Sequence, residues 1–326
     1  MRIALVGLGA IIPNHINALL ECGQEIVALC DIDPTKPAAT NEKHGLSAAC
    51  YTDFEQMLDE VKPDAVHICT PHYLHAPMCC AALARNIHVL CEKPLAISKE
   101  QLEMLEEAVR HSDAQLGVCH QNRFKATSQY AKELFADAPP TAAAASMIWK
   151  RDAAYYQSCA WRGTWAEEGG GVMINQALHT LDLLQWFCGF PRTVWAHVAN
   201  DSLQGVIEAE DTAHAVFTLE HGGKFVIDAT NAASHSFPVQ LMLHGNKTTV
   251  QICGDQVTVN GVTTAHSDGK PKVGKIEWGV AHTKLIRRFY ECLSTGEPFE
   301  VDLTEGRKVI DLVLAMYRSN GCEITV

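Results

Sequence analysis

No run in this chain approaches the roughly 18 to 20 consecutive apolar residues that a membrane-crossing helix requires, so no transmembrane segment is expected. There is no block of basic residues either. The 26 Lys and Arg are outnumbered by 38 Asp and Glu, which leaves a formal charge of −12. That balance excludes nucleic acid and anionic membrane surfaces as main partners, while leaving room for a local basic pocket. The 13 cysteines are odd in number and include no Cys-x-x-Cys pair. A chain of 326 residues needs no disulfide framework. The cysteines therefore read as reduced thiols in a cytoplasmic protein, with Cys30, Cys69, Cys91 and Cys119 acting as small hydrophobes in strands. The opening MRIALVGLGAII places Arg2 ahead of an apolar run. Two glycines interrupt that run and no convincing small-residue cleavage site follows, so no secretory leader is expected. Internal repeats are lacking, and no low-complexity tract exceeds Ala142–Ala145.

What is present is an ordinary globular composition, 47 % apolar and 20 % charged, in a length that suits two domains. The first 120 or so residues alternate strand and helix. Apolar runs at 3–6, 25–30, 64–69, 87–91 and 115–119 read as strands. Helices are expected after Pro13, over 75–85, and from a capping box of Ser98 and Gln101 to about His111. Nearly continuous apolar strands joined by helices imply a buried parallel sheet. Beyond Phe124 the pattern changes. A helix near 128–135 and a strand near 142–149 lead into an aromatic stretch, Tyr155–Trp165, and three glycines, Gly169–Gly171. One amphipathic helix over 172–187 follows, then strands near 194–199, 212–219, 224–230, 239–244 and 248–253. Helices over 279–294 and 304–319 close the chain. The first part therefore reads as an α/β unit on a parallel sheet, and the part beyond about Phe124 as an antiparallel sheet domain.

Gly7 and Gly9 stand between the first strand and the first helix. Glycines there permit a tight turn and close approach of backbone N–H groups to a pyrophosphate, beside the positive end of the helix dipole. The third glycine of Gly-x-Gly-x-x-Gly is missing; Ile11 and Ile12 follow the pair instead, with Ile12 in the third glycine's place. Asp31 ends the second strand, where a carboxylate accepts bonds from both ribose hydroxyls and repels a 2′-phosphate. The cofactor expected is NAD rather than NADP.

Glu92, Lys93 and Pro94 end the fourth strand, at the sheet edge where open α/β folds bind ligands. Read alone, this is a turn with a lysine, which a cis Pro94 would aim into a cleft. In GGGVMINQALHTLDLLQW, Asn175, His179 and Asp182 fall on one face of the expected helix. His179 suits proton transfer near neutral pH, and Asp182 is placed to orient it. The triple glycine permits close approach of a ligand. Tyr155, Tyr156, Trp161 and Trp165 read equally as core packing or as a surface for sugar C–H faces. Arg151 and Arg162 beside them suit a carboxylate or phosphate on that sugar. His72 and His75 have a metal-like spacing but no acidic or Cys partner in their segment, so no metal is expected.

Taken together, GLGAII, Asp31, TPHYLH, EKPL, QNRF, WRGTW and the glycine-helix segment resemble the Gfo/Idh/MocA family of oxidoreductases, over residues 1–190. The resemblance implies the fold class α/β, with an N-terminal Rossmann domain (1–123) and a C-terminal α/β domain (124–326) built on an open, mainly antiparallel sheet, the last helix packing back toward the N-terminal domain. It also implies a dehydrogenase that uses NAD(P) on a carbinol of a sugar, polyol or related compound. Lys93 matches the lysine that positions and polarises the reacting hydroxyl. His179 matches the general acid/base. Thr70, His72 and His75 match the loop lining the nicotinamide and ribose, with His72 in place of a common Asn. Gln121, Asn122 and Arg123 match a turn at the cleft, Asn122 on the cofactor side and Arg123 on the substrate side. Trp161 and Arg162 match a substrate-pocket segment. Asn175 departs from the Asp of many inositol-type members, which shifts proton transfer onto His179 and Lys93.

The function expected is hydride transfer between nicotinamide and a secondary alcohol or ketone of a sugar, glycoside, sugar acid or cyclic polyol. Two rival readings remain: an NAD-retaining glycosidase working by transient oxidation and elimination, and a non-catalytic sugar or nucleotide sensor. An uncovered sheet face implies a homodimer or homotetramer.

Overall fold

The computed structural model describes residues 1–269 and 280–326. The chain forms two compact units, Met1–Gln121 with Gly269–Arg307, and Asn122–Asp268 with Lys308–Val326. Residues Gly269–Arg307, which the sequence alone leaves with the second domain, group with the first by their contacts. The expected start of the penultimate helix, Gly279, lies outside the described residues.

The first unit runs β1 (Arg2–Val6), α1 (Ile12–Glu21), β2 (Glu25–Cys30), α2 (Thr35–His44), β3 (Ala49–Tyr51), α3 (Phe54–Val61), β4 (Ala65–Ile68), α4 (His72–Leu83), β5 (His88–Cys91), α5 (Lys99–Arg110) and β6 (Leu116–Val118). The strands form one parallel sheet in the order β3-β2-β1-β4-β5-β6. Strand order reverses between β1 and β4, the switch point where doubly wound sheets bind ligands. β1 is buried from Ile3 onward and β4 throughout, as helices on both faces require. Pro13 sits in the first turn of α1. Ser98 caps α5 by accepting from the Gln101 amide, while the Gln101 side chain accepts from Ile97 rather than closing the box on Ser98.

The second unit contains α6 (Ala126–Leu134), β7 (Ala142–Ile148), α7 (Ala153–Gln157), α8 (Val172–Asn175), α9 (Leu178–Cys188), β8 (Pro191–Ala199), β9 (Thr212–Leu219), β10 (Lys224–Thr230), β11 (Gln240–His244), β12 (Thr249–Cys253), β13 (Gln256–Val259) and β14 (Val262–Ala265). Then come α10 (Ala281–Thr295), which packs on α1 in the first unit, α11 (Leu303–Ser319), and β15 (Ile324–Thr325), which pairs with β8. The nine strands lie in the order β14-β13-β12-β11-β7-β10-β9-β8-β15. Only β7 and β10 run parallel, so the sheet is mainly antiparallel, as expected.

The single helix expected over 172–187 is two. Ala177 N–H bonds to the carbonyl of Val172, five residues back, which widens the turn and ends α8; α9 then restarts around Ala177. His179 and Asp182 still share a face of α9, while Asn175 belongs to the end of α8.

Candidate functional site

In the first unit, Gly7 has φ +83°, and a Cβ there would lie 2.6 Å from the Cys69 carbonyl and 2.7 Å from Thr70 N. The ends of β1 and β4 meet closely enough that only glycine fits between them. A Cβ on Gly9 would meet nothing within 4 Å, and Ile11, the N-cap of α1, provides no side-chain cap. The uncapped start of α1 has backbone N–H groups such as that of Ile11 to offer an anion, while the Ile12 N–H bonds to the Gly9 carbonyl at 3.3 Å. Asp31 is 7 % exposed. It accepts from Leu8 N at 2.8 Å and Asp33 N at 3.0 Å, and both its oxygens lie 3.2 Å from Lys36 Nζ. Loop, open Gly9 and terminal carboxylate fit a dinucleotide. Lys36 was missed from the sequence; its position in the first turn after Asp31 was the available signal.

His75 is buried and joins two loops, with Nε2 2.8 Å from the Thr70 carbonyl and Nδ1 2.7 Å from the Pro94 carbonyl. Burial lowers its pKa, against the two carbonyls, which favour the charged ring. His72 is buried with its ring centroid 5.9 Å from that of His75. The Glu92–Pro94 turn is buried rather than an exposed loop: Glu92 and Pro94 are inside, Lys93 is half-buried, and the Lys93–Pro94 bond is cis. Glu92 accepts from Lys93 N at 3.3 Å, from His15 Nε2 at 2.9 Å and from His282 Nε2 at 3.2 Å. Burial pushes Glu92 up, but the histidine hydrogen bonds outweigh it and hold the carboxyl well below its usual range. Donor atoms of His15, Glu92 and Cys119 lie within 4.8 Å of one another, with His15 Nε2 2.9 Å from Glu92 and Nδ1 2.8 Å from His67.

In the second unit, Asn122 and Arg123 lie on a short 3₁₀ turn. Arg123, 3 % exposed, donates from Nε and Nη2 to the fully buried Asp182 at 2.9 and 2.6 Å, and Gln185 also donates to Asp182 at 3.1 Å. A buried bidentate pair of this kind costs about 3 to 5 kcal/mol to break from one side, so it braces α9 against the turn. Asp182, expected to support His179, thus has Arg123 as a strong competing partner. His179 is half-buried near the start of α9.

Asn175 is half-buried and donates its amide to the buried carboxylate of Glu168, which also accepts from Gly163 N. Gly170 and Gly171 are required by close packing. A Cβ on Gly170 would fall 2.0 Å from the Tyr317 hydroxyl, and one on Gly171 1.9 Å from the Glu210 carbonyl. Glu210 is the cap that α8 lacks in its own sequence, accepting from Gly171 N at 2.9 Å, Met173 N at 3.0 Å and the Tyr317 hydroxyl at 2.9 Å. Burial pushes its pKa up to about 7, against those hydrogen bonds. Glu168 and Glu210 had no sequence signal, since each meets its partners only in the fold.

The aromatic stretch divides. Tyr156 is 3 % exposed and packs with Leu203 and Ile207 as core. Trp165 packs edge-on against Tyr317. Tyr155 instead carries two guanidiniums, with Arg162 Cζ 4.3 Å and Arg151 Cζ 4.9 Å from its ring centroid. Arg162 also lies 5.6 Å from the half-buried Trp161 ring. Arg162 Nη1 donates to the Tyr155 carbonyl and Ser158 Oγ, and Arg151 Nη1 to the Lys150 carbonyl. Neither guanidinium has a carboxylate partner among the described residues, and the Nε of each is buried without a hydrogen bond. Gln176 ties the Tyr155 hydroxyl to the break between α8 and α9 and accepts in turn from Asn231.

Residues 1–120 match the family profile described as an oxidoreductase family with an NAD-binding Rossmann fold, and residues 139–251 match the GFO/IDH/MocA C-terminal domain. The chain belongs to the Gfo/Idh/MocA family. It is an oxidoreductase fold whose first unit is the NAD-binding domain. A D-glucoside 3-dehydrogenase of Escherichia coli K12 is 30 % identical over 208 residues, which span 60 % of this chain and 57 % of that relative. A myo-inositol 2-dehydrogenase of Thermotoga maritima is 24 % identical over 98 % of this chain and 96 % of its own. Among solved structures, the WlbA dehydrogenase of Bordetella pertussis, in complex with NADH and UDP-GlcNAcA, is similar with TM-score 0.90 and 29 % identity, covering 100 % of this chain and 97 % of that one.

Proposed function

We propose that this family member is an NAD-dependent dehydrogenase for a secondary alcohol of a sugar carrying an acidic group, either a sugar acid or a nucleotide-linked sugar. The observation that carries the substrate class is the Arg151–Tyr155–Arg162 stack. Two guanidiniums held over the Tyr155 ring, without a carboxylate partner among the described residues, in a chain of charge −12, suit an anion. The structural relative WlbA, solved with UDP-GlcNAcA, supports the same class. NAD, when bound, supplies the hydride acceptor.

The loop of Gly7, Gly9, Ile11 and Ile12 holds the pyrophosphate, Asp31 the ribose, and Thr70, His72, His75, Glu92 and Asn122 shape the rest of the cofactor site. Lys93 steadies negative charge developing on the substrate oxygen, and His179 takes the hydroxyl proton. Asn175, its amide spent on Glu168, orients substrate through its carbonyl without exchanging a proton. Arg123 and Asp182 hold α9. Trp161 flanks the pocket with Arg162. The molecule works as a homodimer or homotetramer in the cytoplasm, where its thirteen free thiols stay reduced. No described helix is long and apolar enough to cross a membrane. The test is NADH formation over a panel pairing sugar acids and nucleotide-linked sugars with their neutral parents. Accumulation with the acidic members supports the reading, and turnover confined to neutral sugars or inositols refutes it.

A further inference from the structure

Behind the Lys93 turn, the first unit buries a row of polar groups that ends on Glu92, and the proposed reaction does not use the other members, Tyr290, His67 and His15. Tyr290 Oη lies 2.8 Å from His67 Nε2, His67 Nδ1 lies 2.8 Å from His15 Nδ1, and His15 Nε2 lies 2.9 Å from Glu92 Oε1. His282 Nε2 reaches the same oxygen at 3.2 Å. The other Glu92 oxygen accepts the Lys93 backbone N–H at 3.3 Å. His15 and His67 are wholly buried, and Tyr290 is 4 % exposed. The row thus runs from α10 through β4 and α1 to the end of β5.

The chemistry gives the row one direction. An ionised carboxylate only accepts, so His15 must present Nε2–H to Glu92. Burial lowers the pKa of His15, and lowers that of His67 well below its usual value. Both rings are therefore neutral and carry one proton each. His15 Nδ1 is then bare and accepts from His67 Nδ1–H, which leaves His67 Nε2 bare to accept the Tyr290 hydroxyl. Burial keeps that phenol protonated. Around the row stand Cys119 and Cys69, both held as thiols by burial, with Cys22 and Asp64 on the Tyr290 side and His75 sensing Glu92 from α4. This proton arrangement satisfies every buried atom of the row.

We infer that Tyr290, His67 and His15 form a one-way hydrogen-bond relay that, with His282, keeps Glu92 ionised and oriented, and through its second oxygen fixes the backbone from which Lys93 projects. These are positioning residues. Their effect on turnover rests on the role proposed for Lys93; the relay itself does not.

The test therefore begins without substrate. Long-range ¹H–¹⁵N spectra of the whole protein labelled at histidine report which ring nitrogen holds the proton. Between about pH 6 and 8, His15 should be the neutral Nε2–H form and His67 the neutral Nδ1–H form, neither titrating. Tyr290→Phe should shift the His67 Nε2 resonance and leave both tautomers unchanged, because Glu92 sets the direction. The opposite tautomer at either ring, or a titration in that range, overturns the relay whatever the enzyme's substrate.

The positioning role is then read from kinetics. His15→Leu removes one donor from Glu92, so burial drives its pKa upward. The acid limb of kcat should move up by about one pH unit or more, with the NAD dissociation constant changed less than about threefold. His15→Gln, which restores an N–H toward Glu92, should bring the limb part of the way back. Superimposable pH profiles for the wild type and His15→Leu, in protein that binds NAD, overturn the positioning role. If His15→Leu fails to fold, the same comparison is made with Tyr290→Phe, whose shape is nearly unchanged; a tenth or less of the expected displacement there counts against the role. Intact tautomers with no turnover of any sugar would instead refute the proposed function.

Discussion

Lys36 holds Asp31 by both carboxylate oxygens, each 3.2 Å from its ammonium. The residue that should repel a 2′-phosphate is thus accompanied by a cation that softens the repulsion. Lys36 is 44 % exposed, so the pair is worth at most about 1 kcal/mol. Lys36→Met should therefore raise the preference for NAD over NADP by up to about fivefold. Asp31→Ser should weaken NAD binding and narrow the gap. Titration of both cofactors against the three proteins decides it, and equal wild-type affinities would refute the role of Asp31.

His179 and Asn175 should separate in their effects. His179→Ala should lower kcat by roughly 10²- to 10⁴-fold with NAD binding intact, the range for a lost general base. Asn175→Ala should cost less, because an amide held by Glu168 only orients substrate. Lys93→Met should depress kcat more than it raises KM, since the charge it meets is largest in the transition state. Steady-state kinetics with separate NAD titration check all three. A larger loss in Asn175→Ala than in His179→Ala would reverse the assignment.

Glu210 should make the fold less stable as pH rises. Its folded pKa, about 7, lies above the ordinary carboxyl value of 4.5. Below about pH 4.5 both states hold the proton and the group contributes no penalty; between there and about pH 7 the unfolded state releases it first, so folding loses stability. The full loss, above about pH 7, is on the order of 3 kcal/mol. Glu210→Gln should be less stable at low pH, where it disturbs the cap of α8, but should lack this decline. Urea unfolding of both proteins at about pH 5 and pH 8 measures the difference in slope. Parallel pH dependences would contradict it.

The uncovered face of the nine-stranded sheet carries an apolar row. Trp195 pairs with Val216, Val216 with Val226, Val226 with Ala144 and Ala144 with Met242. Trp195, Val226 and Met242 are 40 %, 37 % and 49 % exposed. In the proposed homo-oligomer a second copy of this chain would cover that row. Val226→Glu should shift the mass in solution toward the monomer by light scattering, with the fold retained. A wild-type monomer would end the proposal.

Local signals were legible in the sequence and tertiary ones were not. Gly7 and Gly9, strand β2 and the arginines beside Tyr155 announced themselves through residue type and spacing. Strand β3 was missed because Ala49–Tyr51 has only three residues and lies, mostly exposed, at the edge of the sheet. The break between α8 and α9 was missed because the apolar spacing carries straight across it; the Gln176 side chain that bridges Tyr155 and Asn231 shows its role only in the fold. The packing that Gly170 and Gly171 permit was not legible, since their neighbours Tyr317 and Glu210 lie far along the chain. His67 inside the buried strand Ala65–Ile68 was the one sequence sign of the relay behind Glu92.

The central claim, that Arg151 and Arg162 select an acidic sugar for NAD-dependent oxidation, is tested most directly by one comparison. NADH formation is followed for a uronic acid, free or nucleotide-linked, and for its neutral parent, with the wild type and with Arg151→Ala/Arg162→Ala. A charge-assisted arginine contact worth about 1.5 to 3 kcal/mol predicts kcat/KM at least about tenfold higher for the acid in the wild type, falling toward equality in the double variant. Equal turnover of acid and neutral parent by the wild type, or an acid preference that survives loss of both arginines, would contradict it.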